Sequence, residues 1–327
     1  MRNVVLVASL LAMAVPCGAL KMLARPAFQP RGMSQRMRAP PVAVATGAAP
    51  CVCRGGTSCR SSATMFAASA PLARDLIVAV VLAILAKVWV KIWSTLADSG
   101  KLSSTLTRKL VHTGTGPLFV MGWPFFSDGP SALVAASAVP VINLGRLWMA
   151  GRGGSQSTDS SELARALSRS GDAKEVARGP FYYTLVLLAA TLFSFRALPG
   201  VVAVCQMAVG DGMADIVGRN FGRTRWGDVG RRLGLDVKGA TKTVEGTAAF
   251  ILGAFGSSLG LLAGCHYFGY TALTVRMAVL PMLFISVACA TVELFSGKLQ
   301  EMGLGEFADD NLTVPFVGAF FAALLLR

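Results

Sequence analysis

Charged residues are scarce in this chain: they make up 15 % of its 327 residues, whereas soluble domains average about 25 %. Hydrophobic residues reach 54 %, and the mean hydropathy is +0.58. The apolar residues fall into long blocks rather than periodic stripes, and about 20 such residues suffice for a helix to cross a bilayer. The composition argues against an ordinary soluble domain and predicts an all-α, polytopic membrane helix bundle.

Acidic residues are absent from the first 74 positions, which hold nine Lys and Arg residues. This segment supplies more than half of the net charge of +14, while the rest of the chain has 22 basic and 17 acidic residues. A nucleic-acid partner is therefore not expected, since the basic excess does not lie in the body of the protein.

The same segment has two parts. Arg2 precedes an apolar run at 4–15, which is typical of a signal peptide, and residues 21–74 are rich in Arg, Ala, Ser and Pro, as in a plastid transit peptide. Such a leader resembles those of algae whose plastids lie behind extra membranes. We predict that 1–74 is a bipartite, disordered leader, that 75–327 is one membrane-embedded domain, and that the destination is a membrane of a secondary plastid.

The sequence lacks the motifs of several classes of soluble protein. The seven cysteines show neither a disulfide framework nor a zinc-ligand spacing. A GxxxxGK[ST] phosphate loop and the glycine-rich loop of protein kinases are also absent. The sequence therefore does not support a soluble nucleotide-binding fold.

The apolar blocks predict about eight membrane-spanning helices. They cover 76–93, 113–126, 130–149, 180–195, 198–220, 243–263, 275–293 and 311–326. With eight crossings, sixteen Lys and Arg residues fall on one face and three on the other. The positive-inside rule makes the first face the stromal or cytosol-like one, and the polar motifs described next all fall there.

Two aspartates close the fifth span. Asp211 and Asp215 are four residues apart, so on a helix they share one face, where they repel each other and lose hydration. A divalent cation would remove both penalties, and glycines at 210, 212, 218 and 222 would let the backbone approach phosphate oxygens. The alternative is a helix end with capping aspartates and glycines that serve helix packing.

A basic loop over 223–242 leads into the sixth span. It ends at Lys242 and Thr243, which could contact phosphate and Mg²⁺, and Glu245 follows in the first turn of the helix. The alternative is an ordinary basic loop with a threonine cap.

Three further polar groups are candidates. Arg108, Lys109 and His112 precede the second span and could bind phosphate or move a proton, although basic residues at such positions usually set topology. Glu293 ends the seventh span, where an ionisable residue is a functional candidate. Before the last span lie Asp309, Asp310 and Asn311, which could contact a metal or ribose or simply cap the helix.

Four stretches in this order resemble the phytol and farnesol kinases of plastids, relatives of dolichol kinase and of CTP-dependent diacylglycerol kinase. They are Arg108–His112, Arg178–Tyr183, Gly210–Asp215 and Asp309–Pro315. The nucleotide motif of dolichol kinase-like members is filled by Asp211, Ala214, Gly218, Gly222, Lys242, Thr243, Glu245 and Gly246. The chain departs from that pattern in its longer connecting loop, Gly227–Val237.

The resemblance implies CTP-dependent phosphorylation of phytol, farnesol or geranylgeraniol at a lipid bilayer, with Mg²⁺ as cofactor and tocopherol or prenyl-lipid synthesis as the destination. It implies Asp211 and Asp215 as metal ligands, and Lys242 and His112 as further catalytic residues. The expected nucleotide-binding residues are Gly210, Ala214, Gly218, Gly222, Arg223, Lys242, Thr243, Glu245 and Gly246. A carboxylate or His112 would accept the proton of the alcohol.

Other functions share some of these features. A cytidylyltransferase would also use CTP and Mg²⁺ but would release pyrophosphate, and a diacylglycerol or dolichol kinase would differ only in its acceptor. A transporter would account for the spans and for the buried charge, but it predicts an internal inverted repeat that the sequence does not show.

Overall fold

The computed structural model describes residues 62–151, 179–232, 234, 242–299 and 309–327, and this part of the chain is almost entirely helical. The helices are α1 (Ser62–Asp98), α2 (Ser104–Met121), α3 (Pro130–Gly151), α4 (Gly179–Ser194), α5 (Leu198–Cys205), α6 (Asp211–Phe221), α7 (Trp226–Arg232), α8 (Val244–Tyr267), α9 (Val275–Leu299) and α10 (Asp310–Leu325). A π-helical turn, Gln206–Gly210, joins α5 to α6 without a break. The predicted all-α class is confirmed.

Within the described ranges, five helical segments are long and apolar enough to cross a membrane. They are Pro71–Asp98, Pro130–Met149, Leu198–Phe221, Val244–Tyr267 and Val275–Ser296. The apolar helices α4 and α10 are shorter. A helical membrane bundle is thus confirmed, while the number of eight crossings stays a prediction.

The predicted leader lies mostly outside the described residues, which begin at 62. Helix α1 starts at Ser62 and continues without interruption through position 74 into the first apolar span. Arg74 also donates a hydrogen bond to the carbonyl oxygen of Phe125. Residues 62–74 therefore belong to a helix of the bundle in this structure, and the site at which the leader ends stays a prediction.

The segment Leu198–Phe221 lies at the centre of the bundle. Of its apolar window 78 % is buried, compared with 17 % in Pro71–Asp98. Helices α4, α8 and α10 pack around it, and Gln206 at its middle donates hydrogen bonds to Ser258 and Ser286 of neighbouring helices. Such bonds suit an apolar surrounding, where an amide finds no water. The central position explains why the aspartates that end this segment face other helices.

Large apolar side chains cover the outside of the bundle. Val134, Phe193, Leu280 and Phe316 are each more than 70 % exposed. A soluble monomer rarely exposes so many, because each would order water, but a bilayer solvates them. The exposed surface therefore agrees with a lipid-facing exterior.

One end of the bundle is held together by Arg196. Its guanidinium group donates hydrogen bonds to the carbonyl oxygens of Trp123, Phe126 and Ser127. Buried Asp75 accepts hydrogen bonds from the backbone N–H and the hydroxyl of Ser127. These bonds fix the α2–α3 connection against α1 and α4, so this end has a structural network of its own. The predicted site residues lie at the other end.

Candidate active site

Asp211 stands at the centre of the polar end of the bundle. One of its carboxylate oxygens, Oδ2, accepts a hydrogen bond from Lys109 Nζ at 2.9 Å, and His112 Nε2 lies 3.4 Å from the same oxygen. The side chains of Asp211 and Lys109 are 17 % and 15 % exposed. A buried charge needs an opposite charge beside it. Lys109 of α2 and Asp211 of α6 neutralise each other in this way.

Close packing of α6 on α2 makes this contact possible. A Cβ at Gly212 would come within 1.9 Å of the Thr113 hydroxyl, and a Cβ at Gly210 would come within 2.6 Å of the Phe250 ring. Glycine at 212 permits α6 to approach α2 this closely, and glycine at 210 permits the same approach to α8. The approach places Asp211 within hydrogen-bond distance of Lys109.

Asp215 lies one turn further along α6. Its Oδ1 accepts a hydrogen bond from Arg219 Nε at 2.6 Å, and its Oδ2 lies 4.0 Å from Lys109 Nζ. Lys109 therefore stands between the two aspartates that the sequence analysis paired. Its ammonium group reduces the repulsion that would otherwise favour a bound cation at that pair.

A second ion pair joins α9 to the segment before α8. Lys242 Nζ donates hydrogen bonds to the carboxylate and to the carbonyl oxygen of Glu293, whose side chain is only 5 % exposed. The sequence indicated each residue separately but gave no sign that they pair. Their 51-residue separation contains the whole of α8 and most of α9, so only the helix packing brings them together.

Three carboxylates meet beside these pairs. One oxygen each of Asp211, Glu293 and Asp310 lies within 4.8 Å of the others. Asp310 can face the group because its neighbour Asp309 caps α10, accepting hydrogen bonds from the backbone N–H and the side chain of Asn311 at 2.9 Å. Of the three residues predicted at 309–311, two therefore shape the helix end and one joins the carboxylate group.

The predicted nucleotide-binding residues around α8 have structural contacts of their own. Thr243 caps α8 by accepting a hydrogen bond from the Gly246 N–H, and the two carboxylate oxygens of Glu245 share the hydrogen of the Thr224 N–H. These bonds hold the segment that contains Arg223 against the start of α8. Part of the predicted basic loop, 233 and 235–241, lies outside the described residues.

The glycines of the same motif serve helix packing. A Cβ at Gly246 would come within 2.9 Å of the Ala214 carbonyl oxygen, and a Cβ at Gly218 or Gly222 would contact the Thr243 side chain. The structure thus shows these positions closing the α6–α8 crossing. Their predicted role in approaching phosphate stays a prediction.

His112 is fixed by a residue to which the sequence analysis gave no role. The Tyr183 hydroxyl donates a hydrogen bond to the His112 carbonyl oxygen at 2.9 Å, and the two rings lie 4.3 Å apart. His112 Nε2 also lies 3.4 Å from the Met207 carbonyl oxygen. Tyr183 belongs to the Arg178–Tyr183 stretch, so its place in that motif was the only available signal.

Two recesses flank this group of residues. A polar recess of about 260 Å³ lies between the start of α2 and α6, lined by residues that include Ser103, Lys109, Asp215, Arg219 and Asn220. A small, mostly apolar groove of about 30 Å³ lies between α1, α2, α3 and α4. The polar recess comes close to the range of about 300–1,000 Å³ that small-molecule sites occupy, and the apolar groove is far smaller.

Known proteins are similar to the chain over most of its length. It is 32 % identical over 271 residues to the probable phytol kinase 2, chloroplastic, of Oryza sativa subsp. japonica, which covers 81 % of this chain and 82 % of that protein. It is 32 % identical over 234 residues to the farnesol kinase, chloroplastic, of Arabidopsis thaliana, with 71 % and 69 % covered. The chain belongs to the phytol and farnesol kinase family. No family model and no solved structure matches it.

Membership of this family makes the chain a phosphotransferase with an alcohol acceptor. Another relative, phytol kinase 1, chloroplastic, of Arabidopsis thaliana, is 30 % identical over 233 residues. The names of these relatives place them in chloroplasts, and the structure has several apolar helices. Together these findings indicate a plastid membrane protein, as the sequence analysis predicted.

Proposed function

We propose that this family member transfers the terminal phosphoryl group of a nucleoside triphosphate, CTP by the resemblance, to the hydroxyl of a long-chain isoprenoid alcohol such as phytol. The observation that carries the proposal is the position of the charged group. Two lysines and four carboxylates, with His112 beside them, lie at one end of an apolar bundle, and two of these residues line a polar recess. A kinase with a water-soluble donor and a lipid acceptor needs its reacting groups at such a boundary.

The donor fits the polar recess. Lys109 and Arg219 outnumber the one carboxylate of this recess, Asp215, so its lining has a net positive charge, and Ser103 and Asn220 add hydrogen-bonding groups. Phosphates are bound by lysine and arginine side chains of this kind. We assign the nucleotide to this recess, with Lys242 and Arg223 approaching the phosphates from the α8 side.

The residues present also fit Mg²⁺. Carboxylate oxygens are hard ligands of the type that Mg²⁺ prefers, and Asp211, Glu293 and Asp310 offer three within 4.8 Å of one another. These three residues suit the ion better than the pair Asp211 and Asp215, because they offer three converging oxygens and Asp215 is not part of that group. When bound, the ion would supply charge neutralisation to the phosphates, which is the main requirement of phosphoryl transfer.

The proposed reaction needs little covalent chemistry from the protein. The alcohol oxygen attacks the γ-phosphorus, the bond from that phosphorus to the β–γ bridging oxygen breaks, and the nucleoside diphosphate leaves. Lys109 and Lys242 stabilise the charge on the phosphoryl oxygens. The proton of the hydroxyl passes to His112, whose ring lies 3.4 Å from the Asp211 carboxylate.

We infer that the product serves prenyl-lipid synthesis, of which tocopherol is the example implied by the resemblance. We also retain the proposal of a bipartite leader and a secondary plastid. Fusing residues 1–74 to a fluorescent protein tests it: import into a plastid supports the leader, whereas retention in the secretory pathway contradicts it.

A product assay tests the activity. Membranes containing the full chain are incubated with γ-labelled CTP, UTP or ATP and with geraniol, farnesol or phytol. We expect a labelled alcohol monophosphate and CDP, and no product with Asp211→Asn. The matched control is Asp228→Asn, since Asp228 is an exposed residue of α7 that pairs only with Arg231 in the described chain. Release of pyrophosphate with a CDP-lipid would instead identify a cytidylyltransferase.

A further inference from the structure

We propose that Asp215 is a positioning residue for the nucleotide: it holds the guanidinium group of Arg219 by one edge, so that the other edge binds the phosphates of the donor. This inference rests on the proposed function, because it assigns roles within the recess that receives the nucleotide. It gives Asp215 a role other than the metal ligation that the sequence suggested.

Both cations of the polar recess adjoin one carboxylate. Asp215 Oδ1 accepts a hydrogen bond from Arg219 Nε at 2.6 Å, and Asp215 Oδ2 lies 4.0 Å from Lys109 Nζ. All three side chains line the recess. The Asp215 side chain is 18 % exposed, and its Oδ2 is buried without a hydrogen-bond donor in the described part of the chain. Asp215 is therefore a fixed part of the wall of the recess and not a freely solvated surface group.

Arg219 keeps most of its donors for another partner. The N–H groups of a guanidinium lie along two edges, and each edge matches the geometry of a carboxylate or phosphate. The bond to Asp215 uses the Nε N–H. Within the described ranges Arg219 has no other hydrogen bond or ion pair, and 52 % of its side chain is exposed. The edge formed by the two Nη atoms is thus available to a phosphate group in the recess.

The ion pair determines the direction of this edge. A half-exposed arginine side chain has many rotamers, and a ligand that binds it must restrict them to one. Asp215 and Arg219 are four residues apart on α6, where opposite charges meet across one helical turn. The pair selects the rotamer in the free protein, so that the nucleotide does not have to order the side chain on binding.

A positioning role and a purely electrostatic role of Asp215 predict opposite results. A carboxylate beside a phosphate site repels the phosphates, so its removal would strengthen nucleotide binding if Asp215 acted only through its charge. If Asp215 acts by holding Arg219, its removal weakens binding even though the recess becomes more positive. A carboxylate that only stabilises α6 predicts no selective change in the affinity of the folded protein for the nucleotide.

Kinetics with the two substrates measure the sign of this change. We expect Asp215→Asn and Arg219→Lys each to raise the KM for CTP by about tenfold, the size of effect expected when a hydrogen bond to a charged group is lost. The KM for phytol should stay within about twofold, which also shows that a variant has folded. The double variant should be little worse than either single variant, since the two residues act as one unit. The matched controls are Asp228→Asn and Arg231→Lys, which alter an ion pair within α7 that does not line the recess.

Equilibrium binding checks the result without turnover. Binding of labelled CTP to the solubilised full chain is measured in the absence of an alcohol, and we expect the wild type and both controls to bind about tenfold more tightly than the Asp215 and Arg219 variants. Equal or tighter binding by Asp215→Asn would overturn the proposal, as would additive losses in the double variant. If the wild type phosphorylates no alcohol with any nucleotide, the proposed function fails, whereas normal phosphorylation with unchanged CTP affinity in these variants rejects only the role of the Asp215–Arg219 pair.

Discussion

Lys242 donates hydrogen bonds to both the side chain and the main-chain carbonyl oxygen of Glu293, and so ties the start of α8 to the end of α9. The Glu293 side chain is 5 % exposed and that of Lys242 is 30 % exposed. In this pair the carboxylate is therefore buried and the lysine is partly accessible. This arrangement keeps the carboxylate neutralised while the lysine remains close to the mouth of the site.

Removing the lysine charge leaves Glu293 buried without its partner. Breaking a buried pair in this way costs about 3–5 kcal/mol of stability. We expect Lys242→Met to lower the thermal stability of the detergent-solubilised protein and to abolish phosphoryl transfer. The double variant Lys242→Met/Glu293→Met should regain most of the stability but no activity, because the unpaired charge is gone while the functional groups are still missing. Equal stability losses that simply add in the double variant would contradict the pairing.

The metal assignment separates two sets of carboxylates. We expect Glu293→Gln and Asp310→Asn each to raise the Mg²⁺ concentration needed for half-maximal activity by at least about tenfold, which corresponds to about 1.4 kcal/mol of lost binding. Asp215→Asn should change it far less, since Asp215 lies outside the group of three carboxylates. Mn²⁺ binding, followed by electron paramagnetic resonance, checks the same ranking without turnover. A larger effect of Asp215→Asn than of Asp310→Asn would restore the pair that the sequence alone suggested.

The contact between Tyr183 and His112 predicts that substitutions of these two residues lower activity by different amounts. His112→Ala removes a proton acceptor, and such groups contribute about 10²–10⁴-fold to rate. Tyr183→Phe keeps the ring beside His112 and removes one hydrogen bond to its carbonyl oxygen, which is worth about 0.5–1.5 kcal/mol, or roughly twofold to tenfold. We therefore expect a large fall in kcat for the first variant and a small one for the second, measured with phytol and CTP at saturation. Equal effects would show that His112 acts only through packing.

The bundle and its polar end could be predicted because their signals are local. Apolar blocks of sufficient length indicate spans, and the bias of basic residues assigned the motifs around Lys109, Asp211 and Lys242 to one face before any contact was known. The structure brings these residues together at one end of the bundle.

The partnerships within that end could not be predicted, because they depend on which helices adjoin. Nothing near Glu293 in the sequence points to Lys242, and nothing near Asp310 points to Asp211. Local roles also compete for the same residues: Thr243 and Asp309 cap helices, and both uses were alternatives that the sequence left open. Motif residues therefore divide into those that face the site and those that build the helix ends around it.

Gly212 should be sensitive to the smallest substitution. A Cβ there would come within 1.9 Å of the Thr113 hydroxyl, which itself bonds to the Lys109 carbonyl oxygen. We expect Gly212→Ala to separate α2 from α6 and to lower the free energy of unfolding by about 1–3 kcal/mol through overpacking. The Lys109–Asp211 contact should weaken as a result, and activity should fall with it. Adding Thr113→Ala should restore part of both. The matched control is Gly145→Ala on α3, where a Cβ meets nothing within 4 Å; a loss of stability in that variant as large as in Gly212→Ala would refute the packing argument.

Substitution of Arg196 should lower the stability of the protein without changing its kinetics. Its guanidinium group bonds three carbonyl oxygens at the end of the bundle away from Asp211, and its side chain stacks on the rings of Phe195 and Tyr270. Hydrogen bonds to a charged group are worth about 1.5–3 kcal/mol each, so Arg196→Ala should lower the unfolding temperature substantially. Arg196→Lys should lower it nearly as much, since one ammonium group cannot span the three acceptors. Below the unfolding temperature, KM for CTP and the ratio of phytol to geraniol turnover should match those of the wild type, because neither recess includes this residue. A selective rise in the KM for either substrate would show that the two ends of the bundle are coupled and would contradict the separation of the structural network from the active site.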